Sequence, residues 1–436
     1  RFLFLSFQYN VLCGMPMQRW LILTVLCLSG GIIFMLPFLR EVYYIPMQQA
    51  FSFDHTQMGV LSSVFGTASL LAYFPGGWLA DRFSPRKLMS CGLLGVALAG
   101  VYYSRFPSYA ISIVIHAFWG LCTSLVFWGA MIKATRNWGR SNKQGQAFGL
   151  LESGRGISEL ASSSLLLALF VWLGSQAEAL SQVILLFSLC NASLALLVWL
   201  FLQDTAGDKA EESKKSELGL KEIIVVLKMP TVWLISIIVL SSYSAYWGAF
   251  YFAPYATDIF GLSVVVGASI AVGKMWLKPF IAVLAGFTAD RMGVANTVFY
   301  CLLAMTLCFA VFSVLPQGSG YLAVMLINTV IISIGVFALR GLYFALLTEG
   351  GISAAATGTA VGVISAIGFT PDVFMPLLGG ILLDTYPGAE GYRYYFGTIA
   401  ILCLVGTFSA YLMMRIVQKR RLISTVDGAI EEIINE

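Results

Sequence analysis

Residues Gly76 to Leu88 read GGWLADRFSPRKL. A long hydrophobic run ends at this stretch and another begins directly after it, while five of its residues are charged or proline. A shorter copy, GFTADRMG, spans Gly286 to Gly293 and keeps the glycine, Asp290 and Arg291. An ordinary charged turn would explain one such stretch. Two copies in corresponding places of two halves indicate a duplicated chain.

The pattern Gly-x-Leu-Ala-Asp-Arg followed by a basic pair resembles the loop between the second and third membrane helices of the major facilitator superfamily. The residues that carry the resemblance are Gly77, Leu79, Asp81, Arg82, Arg86 and Lys87. Ser84 departs from the pattern, which more often has glycine there. The resemblance extends over residues 15–420.

This resemblance implies twelve helices in two six-helix bundles around a central site that opens alternately to each side of the membrane. It also implies a gate, because Asp81 is expected to dock near the N-terminus of the eleventh helix, where the helix dipole favours a carboxylate. The gating loops would comprise Gly77, Asp81, Arg82, Arg86, Lys87, Asp290 and Arg291.

The composition independently indicates an all-α polytopic membrane protein. The chain is 58% hydrophobic and 11% charged, whereas a soluble domain carries about 25% charge. Apolar runs of about 20 residues, the length that spans the hydrocarbon core, recur from end to end. The eight cysteines lie in or beside apolar runs without a Cys-x-x-Cys pair, so we expect neither a metal site nor any other cofactor.

Twelve spans can be placed. They run near residues 19–49, 57–79, 87–104, 108–134, 145–172, 180–202, 230–257, 263–287, 294–315, 320–347, 357–382 and 392–416. We therefore predict an N-terminal six-helix bundle at 19–202, a polar cytoplasmic linker at 203–229 and a C-terminal bundle at 230–416. Residues 1–18 are expected to be an extension outside the fold, and 417–436 a cytoplasmic tail.

The two halves share landmarks at a constant offset. Gly-x-x-x-Gly pairs open the fifth span at Gly145 and the eleventh at Gly358, 213 residues apart, and at the same offset Glu159 falls on Asp372. Such glycine pairs are expected to let a neighbouring helix approach closely. These matches favour a six-plus-six duplication.

Basic residues gather in alternate loops, which orients the chain. The basic loops contain Arg82, Arg86 and Lys87; Arg136, Arg140 and Lys143; Lys209 to Lys228; Arg291; and Arg415 to Arg421. By the positive-inside rule these loops and both termini are cytoplasmic. We expect a multi-pass monomer in the inner or plasma membrane, with the lipid bilayer but no nucleic acid as a partner.

Charged residues inside the spans are the best pointers to a site, because an intramembrane charge is costly and usually faces the interior of the bundle. Glu152, Arg155 and Glu159 share one face of the fifth span. We expect Arg155 and Arg40 to bind an anion, and Glu152 or Glu159 to carry a proton. A structural ion-pair cluster that only pins helices together is the alternative.

In the second half, Lys274 and Lys278 lie one turn apart in the eighth span. Two neighbouring ammonium groups favour an anion between them, so both lysines and Arg340 are candidate ligands. Snorkelling to the membrane surface is the alternative, and it suits Lys278 better than Lys274. Asp372 is the second candidate proton carrier after Glu159.

His116 lies four residues before Gly120, where proton-coupled members of the superfamily often have arginine four residues before glycine. Because the unperturbed pKa of histidine is about 6.5, His116 could carry a proton, although a hydrogen-bonded core histidine fits the sequence equally well.

These features predict a secondary transporter for a small anionic or zwitterionic organic solute, driven by symport with protons. The chain contains no ATP-binding motif, which favours an ion gradient as the energy source. A drug/proton antiporter is the first alternative, although the glycine-proline signature of those exporters is missing from the fifth span, LLESGRGISE. A membrane receptor and a membrane enzyme are the remaining alternatives.

Overall fold

The computed structural model describes residues 16–139, 144–202, 226–352 and 357–435. Throughout these ranges the chain forms helices joined by short turns, and the predicted all-α class is confirmed. The expected extension up to residue 15, most of the linker, Arg140 and Lys143 lie outside the described residues.

The first half contains eight α-helices among the described residues. They are α1 (Pro16–Ile32), α2 (Arg40–Phe51), α3 (His55–Arg82), α4 (Pro85–Tyr103), α5 (Tyr109–Gly120), α6 (Gly129–Gly139), α7 (Gln144–Trp172) and α8 (Ala177–Phe201). The helices of the second half are α9 (Pro230–Gly248), α10 (Phe252–Asp258), α11 (Val264–Met292), α12 (Val294–Val314), α13 (Leu322–Leu342), α14 (Leu346–Glu349), α15 (Thr357–Gly368), α16 (Pro371–Thr385) and α17 (Ala389–Asn435).

When short interruptions are bridged, these helices make twelve consecutive rods in the described chain, which is the predicted number of spans. Nine of the described helical stretches are long and apolar enough to cross a membrane, and Arg19–Ile32 is a shorter apolar helix. The largest departure from the predicted bounds is the last rod, because α17 continues to Asn435.

The first, fourth, seventh and tenth rods are each interrupted. A turn at 33–39 separates α1 from α2, and a π-helix, Leu121–Trp128, separates α5 from α6. Short 3-10 segments, Ala249–Tyr251 and Tyr343–Ala345, interrupt the seventh and tenth rods. Such breaks change which backbone carbonyls are paired and often mark functional sites.

The chain divides into two compact units. Unit 1 contains the described residues up to Phe53 and from Val60 to 202, and unit 2 contains Asp54–Gly59 and the described residues from 226 onward. In unit 1, α1 packs on α7 and α4 on α8, so the first rod contacts the fifth and the third contacts the sixth. In unit 2, α9 packs on α15 and α12 on α17, which repeats the same pairing. The two units are therefore six-helix pseudo-repeats.

The close approach expected at the two Gly-x-x-x-Gly pairs is wrong for their second glycines. A Cβ added at Gly149 or Gly362 would meet no atom of the described chain within 4 Å. The tight packing of α1 on α7 instead involves Gly31, where an added Cβ would lie 2.7 Å from the carbonyl oxygen of Arg155. Small residues at this contact let the two backbones approach.

The Gly76–Leu88 stretch is mostly helical. Helix α3 continues to Arg82, and α4 begins at Pro85, which suits a first helical position because proline has no N–H to leave unpaired. Ser84 is the N-cap of α4, since its hydroxyl oxygen accepts a hydrogen bond from the backbone N–H of Lys87 at 3.4 Å. In the second copy, Gly293 is the only residue between α11 and α12, and its φ of 88° is readily adopted by glycine.

Candidate functional site

In unit 1, Arg155 makes three interactions that fix its guanidinium group. Its Nη1 forms an ion pair with Glu152 one turn earlier in α7, and its Nε donates a hydrogen bond to the carbonyl oxygen of Gly30 at 3.1 Å. The guanidinium carbon lies 4.9 Å from the ring centroid of Trp128, the last residue of the π-helix. The interrupted fourth rod thus provides an aromatic surface for a cation of the fifth rod.

The Glu152–Arg155 pair is not fully buried within the protein. The Glu152 side chain is 62% exposed, while that of Arg155 is 16% exposed. Both residues belong to α7, so this ion pair by itself links two turns of one helix and does not pin two helices together. Glu159, two turns beyond Glu152, is half-buried on the same helix. The proton-carrying roles of both glutamates remain predictions.

Arg40 lies at the first position of α2, directly after the turn that breaks the first rod. It is 2% exposed, and its Nη1 donates a hydrogen bond to the Ser62 hydroxyl at 3.0 Å. Its guanidinium carbon lies 5.0 Å from the ring centroid of Tyr44. Arg40 is thus more deeply buried than Arg155, and its predicted role as a ligand stays a prediction.

His116 has the surroundings of a core histidine, which is one of the two alternatives that the sequence leaves open. It is buried, and its Nδ1 lies 2.8 Å from the carbonyl oxygen of Ser112. Its ring makes edge contacts with Tyr103 and Trp119, at centroid distances of 5.4 and 5.0 Å. This geometry does not require proton transfer, and that role remains a prediction.

In unit 2, Arg340 lies near the end of α13, just before the 3-10 segment that interrupts the tenth rod. Its guanidinium carbon lies 4.4 Å from the ring centroid of Tyr246 and 5.7 Å from that of Tyr243, both in α9. All three side chains are half-buried. A cation over aromatic faces that remains partly accessible can bind an anionic group.

Asp372 lies in the first turn of α16, after the break at residues 369 and 370 in the eleventh rod. One of its carboxylate oxygens accepts a hydrogen bond from the indole Nε1 of Trp247 at 2.8 Å. Arg340 lies over the ring of Tyr246, the residue that precedes Trp247 in α9. Unit 2 therefore brings together a cation and a half-buried carboxylate, with the α9 aromatic residues Tyr246 and Trp247 beside them.

Lys274 contacts the interrupted segment of the seventh rod. Its Nζ donates a hydrogen bond to the carbonyl oxygen of Ala249 at 2.8 Å, and it lies 5.0 Å from the ring centroid of Phe250. The residue is 4% exposed. Lys278, one turn further along α11, is half-buried. The expected roles of the two lysines as ligands of a solute are not tested by these contacts and remain predictions.

Comparison with known proteins identifies the family. Residues 21–370 match the sequence profile described as Major Facilitator Superfamily. The chain belongs to this superfamily. It is 30% identical to the inner membrane protein YqcE of Escherichia coli (strain K12), with 92% of this chain and 96% of YqcE covered. It is 29% identical to the inner membrane protein YihN of the same organism, with 93% and 97% covered.

A more distant relative and a solved structure agree with this assignment. The probable anion transporter 6 of Arabidopsis thaliana chloroplasts is 23% identical, with 79% of this chain and 69% of that protein covered. The crystal structure of a bacterial homologue of the human lysosomal transporter Spinster matches with a TM-score of 0.74 at 15% identity, covering 93% of this chain and 99% of the other. This likeness confirms the predicted transporter fold.

The superfamily loop residues lie at helix ends. The guanidinium carbon of Arg82 lies 4.0 Å from the ring centroid of Trp78, and that of Arg86 lies 4.4 Å from the ring centroid of Trp199. Arg291 is in the last turn of α11, and Lys87 and Asp290 are exposed. The side chain of Asp81 lies outside the described part of the chain, so its docking and the gating role of these residues remain predictions.

Sequence reasoning missed the aromatic residues of the site. Aromatic residues make up 14% of the chain, and this abundance does not indicate which of them contact a charged group. The ones that do so here are Trp128, Tyr243, Tyr246 and Trp247. A usable signal was the proline at Pro254, which predicts an irregular seventh rod near Trp247. Among the described residues, no group of three or more His, Cys, Asp or Glu side chains could hold a metal ion.

Proposed function

We propose that this superfamily transporter moves a small organic anion or zwitterion across the inner membrane by alternating access, in symport with protons. The observation that carries the proposal is the arrangement in unit 2, where Arg340 lies over Tyr246 and Tyr243 and Asp372 is hydrogen-bonded to Trp247. A cation and a protonatable carboxylate held by adjacent residues of α9 supply the two functions that anion–proton symport requires.

Arg340 would bind the anionic group of the solute. A guanidinium presents a planar set of donors that matches carboxylate and phosphate oxygens. The Tyr246 and Tyr243 rings lie against this cation and would also contact the carbon skeleton of the solute. Arg155, over Trp128 in unit 1, has the same chemistry, and its pairing with Glu152 supports a zwitterion as well as a simple anion.

Asp372 would carry the proton. Its hydrogen bond from Trp247 stabilises the ionised carboxylate, while its half-buried position favours the neutral form. The nearby charge of Arg340 also stabilises the ionised form. An anion that binds Arg340 would offset that charge and favour protonation of Asp372. Solute and proton would then bind together, which is the coupling that a symporter needs.

The names of the relatives support parts of this proposal. YqcE and YihN are named as inner membrane proteins, and a more distant relative is named as a probable anion transporter. The alternation of basic loops along the sequence favours cytoplasmic termini. The alternative of a drug/proton antiporter would call for carboxylates rather than arginines facing a cationic drug.

Transport into proteoliposomes tests the proposal. The purified protein would be screened by thermal shift with lactate, succinate, gluconate, glycerol phosphate and glutamate, which represent different classes of anion and a zwitterion. A compound that raises the melting temperature would then be used, radiolabelled, in uptake assays with a pH gradient, a sodium gradient or neither. Accumulation that needs the pH gradient and is lost in Arg340→Gln is expected. Uptake of ethidium, or accumulation driven by sodium alone, would contradict the proposal.

A further inference from the structure

The contact of Lys274 lies at the interruption of the seventh rod. Pro254 has no N–H to give the carbonyl of Phe250 four residues earlier, and the chain tightens into a 3-10 turn over Ala249–Tyr251. Lys274, on the neighbouring helix α11, donates a hydrogen bond to the carbonyl oxygen of Ala249 within that turn. This hydrogen bond therefore connects α11 to the irregular segment of the seventh rod.

Burial determines what Lys274 can reach. The residue is 4% exposed, and a buried ammonium group is tolerated when hydrogen bonds and nearby negative electrostatic potential compensate it. The carbonyl of Ala249 accepts the hydrogen bond. The face of the Phe250 ring, with its centroid 5.0 Å away, supplies the negative electrostatic potential. These contacts lie within the protein and leave little surface of Lys274 for a solute.

Phe250 connects Lys274 to both functional groups of unit 2. Its fully buried ring is stacked with Trp247 at a centroid distance of 4.7 Å and an interplanar angle of 30°. The same ring makes a T-shaped contact with Tyr246 at 5.2 Å. Trp247 is the residue that donates to Asp372, and Tyr246 is the residue under Arg340.

We propose that Lys274 is a positioning residue of the transport site: by holding the Ala249–Tyr251 turn and the Phe250 ring, it orients Trp247 toward Asp372 and Tyr246 beneath Arg340. This proposal rests on the proposed function, in which Asp372 and Arg340 bind the proton and the anion. It replaces the direct solute contact that the sequence predicts for Lys274.

The first experiment uses the proton as the probe, so that it does not depend on an identified solute. Tryptophan fluorescence and near-ultraviolet circular dichroism of the purified protein are titrated with pH, and subtraction of the Trp247→Phe spectra isolates the signal of Trp247. In Lys274→Met, we expect the pH-dependent part of this signal to fall at least threefold. Lys274→Arg, which keeps a cationic donor, should retain most of it.

The matched control is Lys133→Met in unit 1. Lys133 also donates to a helix carbonyl, that of Ala80, at 3.1 Å, but it lies in unit 1, whereas Phe250 lies in unit 2. Its removal should leave the Trp247 signal unchanged. If Lys274→Met does not fold, Phe250→Leu tests the same path, because it removes the connecting ring and keeps the lysine. An unchanged Trp247 signal in both Lys274→Met and Phe250→Leu would overturn the proposal.

The second experiment separates positioning from direct binding. With the labelled anion identified in the uptake screen, Lys274→Met and Trp247→Phe should each shift the pH profile of uptake, and the double variant should shift it no further than the larger single effect. A tenfold rise in KM with an unchanged pH profile and an unchanged Trp247 signal would instead make Lys274 a solute ligand. Failure of every anion to be transported would contradict the proposed function, while the spectroscopic result on Lys274 would still stand.

Discussion

Trp247 donates a hydrogen bond from its indole Nε1 to Asp372 across 125 residues of sequence, at 2.8 Å. The two residues belong to α9 and α16, the seventh and eleventh rods, and each lies near a point where its rod departs from α-helical geometry. Because Trp247 also stacks on Phe250, the position of its N–H is fixed by packing. The carboxylate of Asp372 thus has a donor that is held in place before any solute binds.

The first prediction concerns that bond. Trp247→Phe keeps an aromatic ring for stacking but removes the donor, so the ionised carboxylate of Asp372 loses stabilisation. A hydrogen bond to a charged group contributes about 1.5–3 kcal/mol, which corresponds to about a ten- to hundredfold change in an equilibrium. Because the lost bond favours the ionised form, the pH profile of proton-driven uptake should move toward higher pH.

The measurement is the initial rate of uptake as a function of external pH in proteoliposomes. Trp233→Phe is the matched control, because its indole Nε1 donates to the carbonyl of Leu227 at the start of α9 and not to Asp372. An identical pH profile for Trp247→Phe and wild type would show that this bond does not tune the transported proton.

The second prediction concerns Arg340. Replacement by lysine keeps a positive charge but loses the planar guanidinium that lies over the Tyr246 ring and can bind two oxygens at once. We expect Arg340→Lys to raise KM about tenfold, with a smaller effect on the maximal rate. Arg340→Gln should abolish saturable uptake. Equal KM values for wild type and Arg340→Lys would mean that Arg340 does not bind the anion.

The nine candidate spans among the described residues were predictable because membrane crossing depends on length and apolar composition. The seventh span was predicted at 230–257 and is observed as Pro230–Asp258, including its internal break. The charges of the site were also visible, since Arg340 and Asp372 stand out in apolar surroundings. In both cases the signal is local to a stretch of chain, which is why one sequence contains it.

The residues that contact those charges were not predictable, because they come from other parts of the chain. Lys274 and Lys278 lie one turn apart in α11, and the sequence offers both as candidate ligands, but only their tertiary surroundings determine that Lys274 meets the Ala249 carbonyl. Trp247 and Asp372 come from distant parts of the chain, and a single sequence contains no sign of their pairing. At Gly149 and Gly362 the sequence has a known packing pattern, but among the described residues the structure shows no close contact there.

The third prediction concerns a helix cap within unit 2. The carboxylate of Asp384 in α16 accepts hydrogen bonds from the backbone N–H groups of His55 and Thr56, at 3.2 and 2.6 Å. These are the first residues of α3, where N–H groups lack helical partners. Gly380 permits this approach, because a Cβ there would overlap the backbone of His55.

Loss of such a cap costs about 0.5–2 kcal/mol, so Asp384→Ala should lower the melting temperature by about 0.5–2 °C in a chain of this length. Asp384→Asn keeps one acceptor oxygen and should lose less. Glu349→Ala serves as the comparison for a cap of the same kind. Glu349 caps α12 by accepting hydrogen bonds from the N–H groups of Val294 and Ala295, at 3.2 and 2.8 Å. A melting temperature that does not change in Asp384→Ala would exclude a stabilising role for this cap.

The last prediction separates the two candidate proton carriers, Glu159 and Asp372. The sequence ranks Glu159 first, because it shares a helix face with Arg155. The hydrogen bond from Trp247 to Asp372 and the position of Arg340 over the adjacent Tyr246 favour the second unit. We expect Asp372→Asn to abolish accumulation driven by an inward proton gradient while leaving exchange of labelled for unlabelled solute intact. An asparagine side chain cannot take up and release a proton. It can still accept the hydrogen bond from Trp247, so we expect solute binding to survive.

Glu159→Gln is assayed in parallel, with Glu178→Gln as the control, because Glu178 is an exposed carboxylate in the first turn of α8. Accumulation and counterflow exchange are measured on the same proteoliposome preparations, so that loss of coupling is distinguished from loss of protein. If Glu159→Gln exchanges solute without concentrating it and Asp372→Asn still accumulates, the proton is carried in unit 1 and the assignment to Asp372 is wrong. If both variants accumulate solute normally, neither of these two carboxylates couples transport to protons, and the proposed assignment to Asp372 is contradicted.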